Sequence, residues 1–315
     1  ELTQGKGKGD TQRILFSGDI GPDHKTLQFD PEGPTHLDYV VVESTYGDRD
    51  RSDLSPEARR GALKAEIQAA MEAGEALVTA LDAVDLRVET KPDLSPVTDA
   101  DRAAEEIVRN QLARTRPRDA VVGEEFGETG HGARRWIVDP IDGTKNFVRG
   151  VPVWATLIAL VDGDDVVAGV VSAPALGRRW WAAQGSGAWT GRSLSAARRI
   201  GVSGVRSLED ASFSYSSLTG WRDIGRLEGF LELSDTVWRT RAYGDFWSYM
   251  LVAEGAVDAA AEPELALHDM AALSVIVSEA GGRFTSLTGE DGPWGPGAIA
   301  SNGVLHPAVS ELLGH

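Results

Sequence analysis

Two apolar runs in this chain end in acids, and each has the composition of a β-strand. The strand-like run at 120–122 leads into Gly123, Glu124 and Glu125, and the run at 135–139 closes on Asp139, Pro140, Ile141 and Asp142. Pro140 cannot donate to a sheet ladder and presets a turn, so the strand is predicted to stop at Asp139, with both aspartates projecting from one bend. Carboxylates gathered this way raise one another's pKa and are costly to bury together unless a cation binds them. Gly143 and Thr144 follow where a helix could begin, offering free backbone N–H groups and the positive end of the helix dipole to an anion. Read alone, D-x-x-D-G-T is equally compatible with a turn bond at Asp139 and a helix cap at Asp142.

Composition narrows the chemistry. The chain has no cysteine, which excludes disulfides, thiol nucleophiles and thiolate metal sites; any metal is held by oxygen or imidazole, and an all-oxygen set suits a hard ion such as Mg²⁺. A formal charge of -17 over 315 residues argues against nucleic acid as a partner. An anionic small substrate would then need cations placed locally. No apolar run reaches the ~18 residues of a membrane helix and the first residues lack signal-peptide order, so no membrane association and a cytoplasmic location are expected.

Residues 1–60 differ in texture from the rest. After a Gly/Lys stretch containing Lys6 and Lys8, read as a flexible basic arm, come two short strand candidates, "RILFSG" and "DYVVVEST". The spacing of Leu63, Ile67, Ala70, Met71 and Leu77 predicts a helix from Pro56 to about Asp82. "LRVETKPD" reads as a strand and "TDADRAAEEIVRNQL" as a helix begun by Thr98 or Asp99, acidic in its first turn. Strands are predicted at 153–161, 165–173 and 178–183, and helices at 245–254 and 269–280, the second ended by the glycines of "EAGG". Trp180-Trp181 is expected on a half-buried strand rather than as a ring-stacking platform. Mixed elements over some 250 residues imply a layered α/β or α+β body.

"GEEFGE", "WIVDPIDGTKNFVRG" and "HDMAALSVIVSEAGG" together resemble the inositol-monophosphatase family of Mg²⁺-dependent, lithium-sensitive phosphatases, in order and in spacing. The resemblance implies an α+β fold, a layered αβαβα sandwich of the Mg-dependent sugar/inositol phosphatase type, over 61–315, with an N-terminal extension of two short strands over 1–60. Carried over residue by residue, it implies a first metal on Glu124, Asp139 and the Ile141 carbonyl. A second falls on Asp139, Asp142 and Asp269, with Asp139 bridging, and a third, weaker ion near Glu124. Asp101 and Thr144 match the residues that orient and help deprotonate the attacking water; Glu125 fits a supporting role behind the ligands. The phosphoryl group would rest on Gly143 and Thr144. A family tryptophan beside Asp269 is replaced here by His268.

Finer details, among them "SAPALGRRWWAA" and "RAYGDFWSY", are similar to the actinobacterial branch of the family that acts on histidinol phosphate in histidine biosynthesis. Glu262 matches a position that contacts the organic part of the substrate, and with Asp245 it would make an anionic subsite suited to an ammonium and an imidazole. Arg241 could serve the phosphate or a carboxylate. The plainer alternatives are that Asp245 caps a helix and Arg241 pairs on the surface. The resemblance also implies a homodimer. Inositol 1-phosphate is the alternative substrate. Residues 1 to about 78, through "FSGD" and "DYVVVESTYGDR", resemble a fragment of the β-CASP branch of metallo-β-lactamase-fold nucleases. Its histidine ligand motif is missing, so Asp19 and Glu43 are read as plain turn and strand-end acids and the segment as non-catalytic. An RNA-processing nuclease fragment or an inactive fusion is the alternative of another class.

Overall fold

The computed structural model describes residues 99–314 in full and, before them, the backbone of 2–6, 10–17, 39–42, 88–90 and 96–98. The chain divides into two compact units, Glu1–Ala62 and Leu63–His315.

In the first unit, β1 (Leu2–Lys6) pairs antiparallel with β2 (Asp10–Ser17), from Leu2 opposite Ile14 to Lys6 opposite Asp10, and β3 (Tyr39–Val42) runs parallel to β2. The expectation of two strands preceded by a loose basic arm is therefore corrected to three strands, with Lys6 inside the first. Three residues separate Lys6 from Asp10, a connection short enough to close a hairpin whatever the polarity of its arm. Lys8, Asp19, Glu43 and the helix expected over 56–82 lie outside the described residues.

Among the described residues, the first elements of the second unit are the hairpin β4 (Val88–Thr90) and β5 (Pro96–Thr98), then α1 (Asp99–Thr115). Next come β6 (Ala120–Gly123), β7 (Gly127–Thr129), β8 (Arg134–Asp142), the single-turn α2 (Thr144–Val148), β9 (Ala155–Asp162), β10 (Asp165–Ala173), β11 (Arg178–Ala183), β12 (Ala188–Thr190) and β13 (Arg198–Arg199). These strands form one sheet in the order β13-β12-β11-β10-β9-β8-β6-β7, antiparallel except where β6 lies parallel to β8. The remainder is β14 (Ser212–Ser214), α3 (Leu218–Asp223), α4 (Leu227–Thr236), β15 (Arg239–Arg241), α5 (Asp245–Ala253), β16 (Ala259–Glu262), α6 (Leu267–Glu279), β17 (Arg283–Thr285), β18 (Ala298–Ser301) and α7 (His306–Leu313). Its strands make a second sheet, β15-β14-β16-β18-β17.

Alternation of side chains across each strand builds the layers. Trp136 and Val138 of β8 pack with Ala104, Val108 and Leu112 of α1, while Ile137 between them packs with α5 and α6. Trp180 and Trp181 divide the same way. Both are almost fully buried, at 0% and 3% exposed, so the half-buried strand expected there is corrected: helices cover both faces of the sheet. On the far side of α5 and α6 lies the second sheet, with Ala260, Ala298 and Ala300 facing them and Phe213, Ala261 and Ile299 packed against α3, α4 and α7. The order helix, sheet, helix pair, sheet, helices is the αβαβα sandwich.

His306, at the start of α7, is 2% exposed; its Nε2 meets Thr285 Oγ1 at 3.0 Å and its Nδ1 meets Ser301 Oγ at 3.0 Å. Burial, with the Arg283 charge, lowers its pKa to about 4. A folded-state pKa below the unfolded value means that this group's contribution to stability is full above about pH 6.5 and is lost as the pH falls toward 4. Comparing denaturant unfolding of wild type and His306→Gln at pH 7 and pH 4.5 should therefore show the wild-type advantage shrinking by roughly 2 kcal/mol at the lower pH. A difference independent of pH would exclude this coupling.

Candidate metal centre

The site is built at the carboxyl ends of the two parallel strands. The β6–β8 register places Gly123 opposite Val138, and the Glu124 N–H donates to the Val138 carbonyl at 3.1 Å, so the next pair in line is Glu124 and Asp139. The strand does not stop there. β8 continues through Pro140 to Asp142, but Asp139 pairs with Leu157 and Asp142 with Ala155, so β8 carries one residue more than β9 across this stretch. The bulge corrects the expectation that Pro140 ends the strand: it tolerates a residue without an N–H, and the Pro140 carbonyl accepts from Thr156 Oγ1 at 2.8 Å. In a regular strand, residues three apart point to opposite faces. The extra residue brings Asp139 and Asp142 to the same side.

Asp269 reaches that side from the first turn of α6, where its Oδ2 accepts the Ala266 N–H at 2.6 Å. One carboxylate oxygen from each of Asp139, Asp142 and Asp269 lies within 4.8 Å of the others. Asp139 is 1% exposed and its Oδ1 has no hydrogen-bond partner. Burial first, then the charges of Glu124, Asp142 and Asp269, raise its pKa well above the carboxylate range. Asp142 is also raised, by burial and by Asp245 and Asp269, against the pull of the Phe246 N–H, which donates to its Oδ2 at 2.8 Å from the first turn of α5. Asp269 is raised by burial, with His268 and the Ala266 N–H opposing; His268 Nε2 stands 3.6 Å from its Oδ1. Buried hard-oxygen donors that repel one another, one with an orphaned oxygen, fit a divalent cation such as Mg²⁺.

Around this core the other expected residues fall into place unevenly. Thr144 Oγ1 lies 2.9 Å from the Ile141 carbonyl and 3.3 Å from Oδ1 of Asp101, which is 1% exposed on α1. Gly143, before α2, has φ 83°, and a Cβ there would stand 2.9 Å from the Val153 carbonyl oxygen and 3.4 Å from Asp245 Oδ2. Asp245 is the first residue of α5 rather than its cap, has φ 49°, and accepts from Asn146 Nδ2 at 2.7 Å. Burial and the Asp269 charge raise its pKa to about 6. Glu262, 5% exposed at the end of β16, is raised to about 8 by burial, with Asp245 and Asp269 adding to it and a Ser216 hydrogen bond opposing. Arg241 is exposed at the end of β15 and donates from Nη1 to the Thr240 carbonyl at 2.7 Å, while Glu125 lends its backbone N–H to Glu105.

A family model, Inositol monophosphatase family, matches residues 59–314. The chain belongs to the inositol monophosphatase family. It is 65% identical over 237 residues, 74% of this chain and 88% of the relative, to a Streptomyces coelicolor protein named histidinol-phosphatase. It is 61% identical over 232 residues to one of that name from Mycobacterium tuberculosis, covering 73% and 89% of the two chains. Among solved structures, the Bartonella henselae extragenic suppressor protein suhB superposes with a TM-score of 0.71 at 34% identity, over 80% of this chain and 98% of that one. An IMPase from Thermotoga maritima gives 0.70 at 32%, over 80% and 96%. The sandwich is thus the inositol monophosphatase fold.

Within this member of the inositol monophosphatase family, sequence reasoning missed three residues at the site. Tyr249 is fully buried; its hydroxyl faces Glu262, Asp142 and Asp269 without a hydrogen bond of normal geometry. It lies four residues after Asp245, a helical spacing that could have signalled it. Asn146, which ties α2 to Asp245 and to the Val153 carbonyl at 3.0 Å, had no signal beyond its place in the motif. Glu105 follows Asp101 by four, the same face of α1.

Metal-free protein should show the repulsion directly. Carboxyl groups with raised pKa contribute stability below their unfolded values and lose it as the pH rises, here up to about pH 8 for Glu262. Thermal melts in EDTA should therefore fall between pH 6.5 and 8, and Mg²⁺ should oppose the fall. Asp139→Asn should melt higher than metal-free wild type by roughly 2–4 °C, about 1 kcal/mol for a domain of this size, and lose the stabilisation by Mg²⁺. A variant that melts lower without metal would contradict the reading.

Proposed function

We propose that this chain is an Mg²⁺-dependent phosphomonoesterase that hydrolyses L-histidinol phosphate to L-histidinol and phosphate. The observation that carries the reaction class is the convergence of Asp139, Asp142 and Asp269 beside the Asp101–Thr144 pair. Glu124, Asp139, Asp142, Asp269 and the Ile141 carbonyl would hold two Mg²⁺ ions, or three with a weaker one near Glu124. When bound, the ions polarise the phosphoryl oxygens and make water a usable nucleophile near neutral pH.

The protein's own groups do the rest. With its single hydroxyl proton directed to Asp101 Oδ1 rather than to the Ile141 carbonyl, Thr144 Oγ1 presents a lone pair to a water and accepts the water's proton as it passes its own to Asp101. That water attacks phosphorus in line, the ester P–O bond breaks, the departing oxygen takes up a proton from solvent water, and Asp101 returns its own to solvent. Gly143 and Thr144 receive the phosphoryl group on their N–H groups; Arg241 is assigned to the same anion. Glu262 and Asp245 form an anionic subsite for the ammonium and imidazole of the substrate. Both carboxyls are held partly protonated by burial, and an arriving cation favours their ionised forms.

The relatives named histidinol-phosphatase, at 61–65% identity, support this substrate. Inositol 1-phosphate is the second reading, supported by an inositol-1-monophosphatase of Rhizobium meliloti at 35% identity. We read residues 1–60 as a non-catalytic extension and 61–315 as the phosphatase domain, and we take the protein to be a cytoplasmic homodimer that binds neither nucleic acid nor membrane. Among the described residues no helix is long and apolar enough to cross a membrane.

Phosphate release from histidinol phosphate should disappear in EDTA and return with Mg²⁺; turnover that survives chelation would refute the mechanism. Replacing Glu262 by Gln should lower kcat/KM for histidinol phosphate by ~10–100-fold, the value of a charge-assisted bond of about 1.5–3 kcal/mol, and leave inositol 1-phosphate hydrolysis far less affected. Equal losses on the two substrates would remove Glu262 from the subsite.

A further inference from the structure

Glu105 is a carboxylate with 0% exposure, twenty and twenty-one residues before the backbone groups it serves. Its Oε2 accepts the backbone N–H of Glu125 at 2.7 Å, and its Oε1 accepts the N–H of Phe126 at 3.2 Å and Arg109 Nε at 2.7 Å. Arg109 continues outward, with Nη1 donating to Thr129 Oγ1 at 2.7 Å and Nη2 to the Gly127 carbonyl. Both sides of the turn between β6 and β7 are thereby pinned to α1. Contact is close enough to dictate the neighbouring residue: a Cβ at Gly123 would stand 1.9 Å from Glu105 Oε1.

Glu124 sits between Gly123, whose backbone lies against this buried carboxylate, and Glu125, whose N–H the carboxylate accepts. We propose that Glu105 is a positioning residue for the metal centre, fixing the turn so that Glu124 faces Asp139 and Asp269. Being four residues after Asp101, it leaves α1 on the same face. One helix face thus serves both metal-bearing loops, Asp101 through Thr144 after β8 and Glu105 through the turn after β6. Glutamine cannot replace it. Three donors converge on its two oxygens, and the amide NH₂ that would replace one oxygen accepts nothing. This inference rests on the metal-centre reading above.

The test measures metal affinity apart from turnover, by titrating full-length protein with Mn²⁺ and following the free-ion EPR signal. Glu105→Gln should weaken Mn²⁺ binding by about tenfold, the lower end of what loss of an outer partner costs a metal site. It should raise the Mg²⁺ concentration for half-maximal activity by a similar factor while leaving kcat at saturating Mg²⁺ near wild type, and speed amide exchange at Glu125 and Phe126. Gly123→Ala attacks the same contact from the opposite side, by pushing the carboxylate out of place, and should reproduce these effects even if Glu105→Gln folds poorly. Variants that melt lower but bind Mn²⁺ as wild type would reduce Glu105 to a structural role and overturn the inference. Glu124→Gln separates the two readings. If wild type binds Mn²⁺ and Glu124→Gln weakens it while Glu105→Gln and Gly123→Ala do not, positioning alone fails; if wild type binds no Mn²⁺, the metal-centre reading fails and this inference with it.

Discussion

Carboxylates buried against one another are the constraint on which the second unit depends. Asp139, Asp142 and Asp269 come from the first sheet and from a helix packed behind it, and each is withdrawn from water while facing like charge. Such a cluster is unfavourable unless something positive is supplied. The fold supplies part of it. The first turn of α5 gives Asp142 an N–H, that of α6 holds Asp269 and gives its carboxylate the Ala266 N–H, and the positive ends of both helix dipoles fall at the acids. What remains unbalanced is charge that a divalent cation could offset.

This balance explains why the helix pair α5 and α6 is the central layer. Sandwiched between two sheets, it is apolar on both sides, and its polar ends are free to meet the carboxyl ends of β6 and β8. Long α1 covers the outer face of the first sheet, packing Ala104, Val108 and Leu112 against it and contributing buried acids as well. The two buried acids on its sheet-facing side, Asp101 and Glu105, are directed to loops and not to the sheet core. Rigidity of the site is thus shared among a sheet, a helix pair and an outer helix, with no dependence on a flexible loop alone.

Glu262 and Asp245 pose a different electrostatic problem. They lie close to the same aspartates, and their raised pKa values of about 8 and 6 show how strongly the site resists further negative charge. A cation placed beside them would relieve that resistance, whereas a neutral group would leave it in place. The Asp245 backbone departs to φ 49°, and its carboxylate accepts from Asn146, so this local strain lies beside the acid cluster.

From the sequence alone came the fold class, the main strands and helices of the second unit, and the acids of the centre, because strand and helix periodicity and the GEEF, DPIDGT and HDM motifs are local patterns. The chemistry was equally legible: no cysteine, paired acids and a glycine-threonine turn leave oxygen-bound metal as the economical reading. Three things were decided only in three dimensions. Pro140 was expected to end a strand, but the partner strand admits it as a bulge, and a bulge depends on what lies opposite. Glu105 drew no reading from the sequence, because the N–H groups it satisfies lie twenty and twenty-one residues away. Tyr249 was likewise passed over, because the carboxylates it faces come from β8, β16 and α6. Residue type and short spacing declare what a side chain can do; which groups it meets is set by register and layer packing, and those are properties of the assembled sheets.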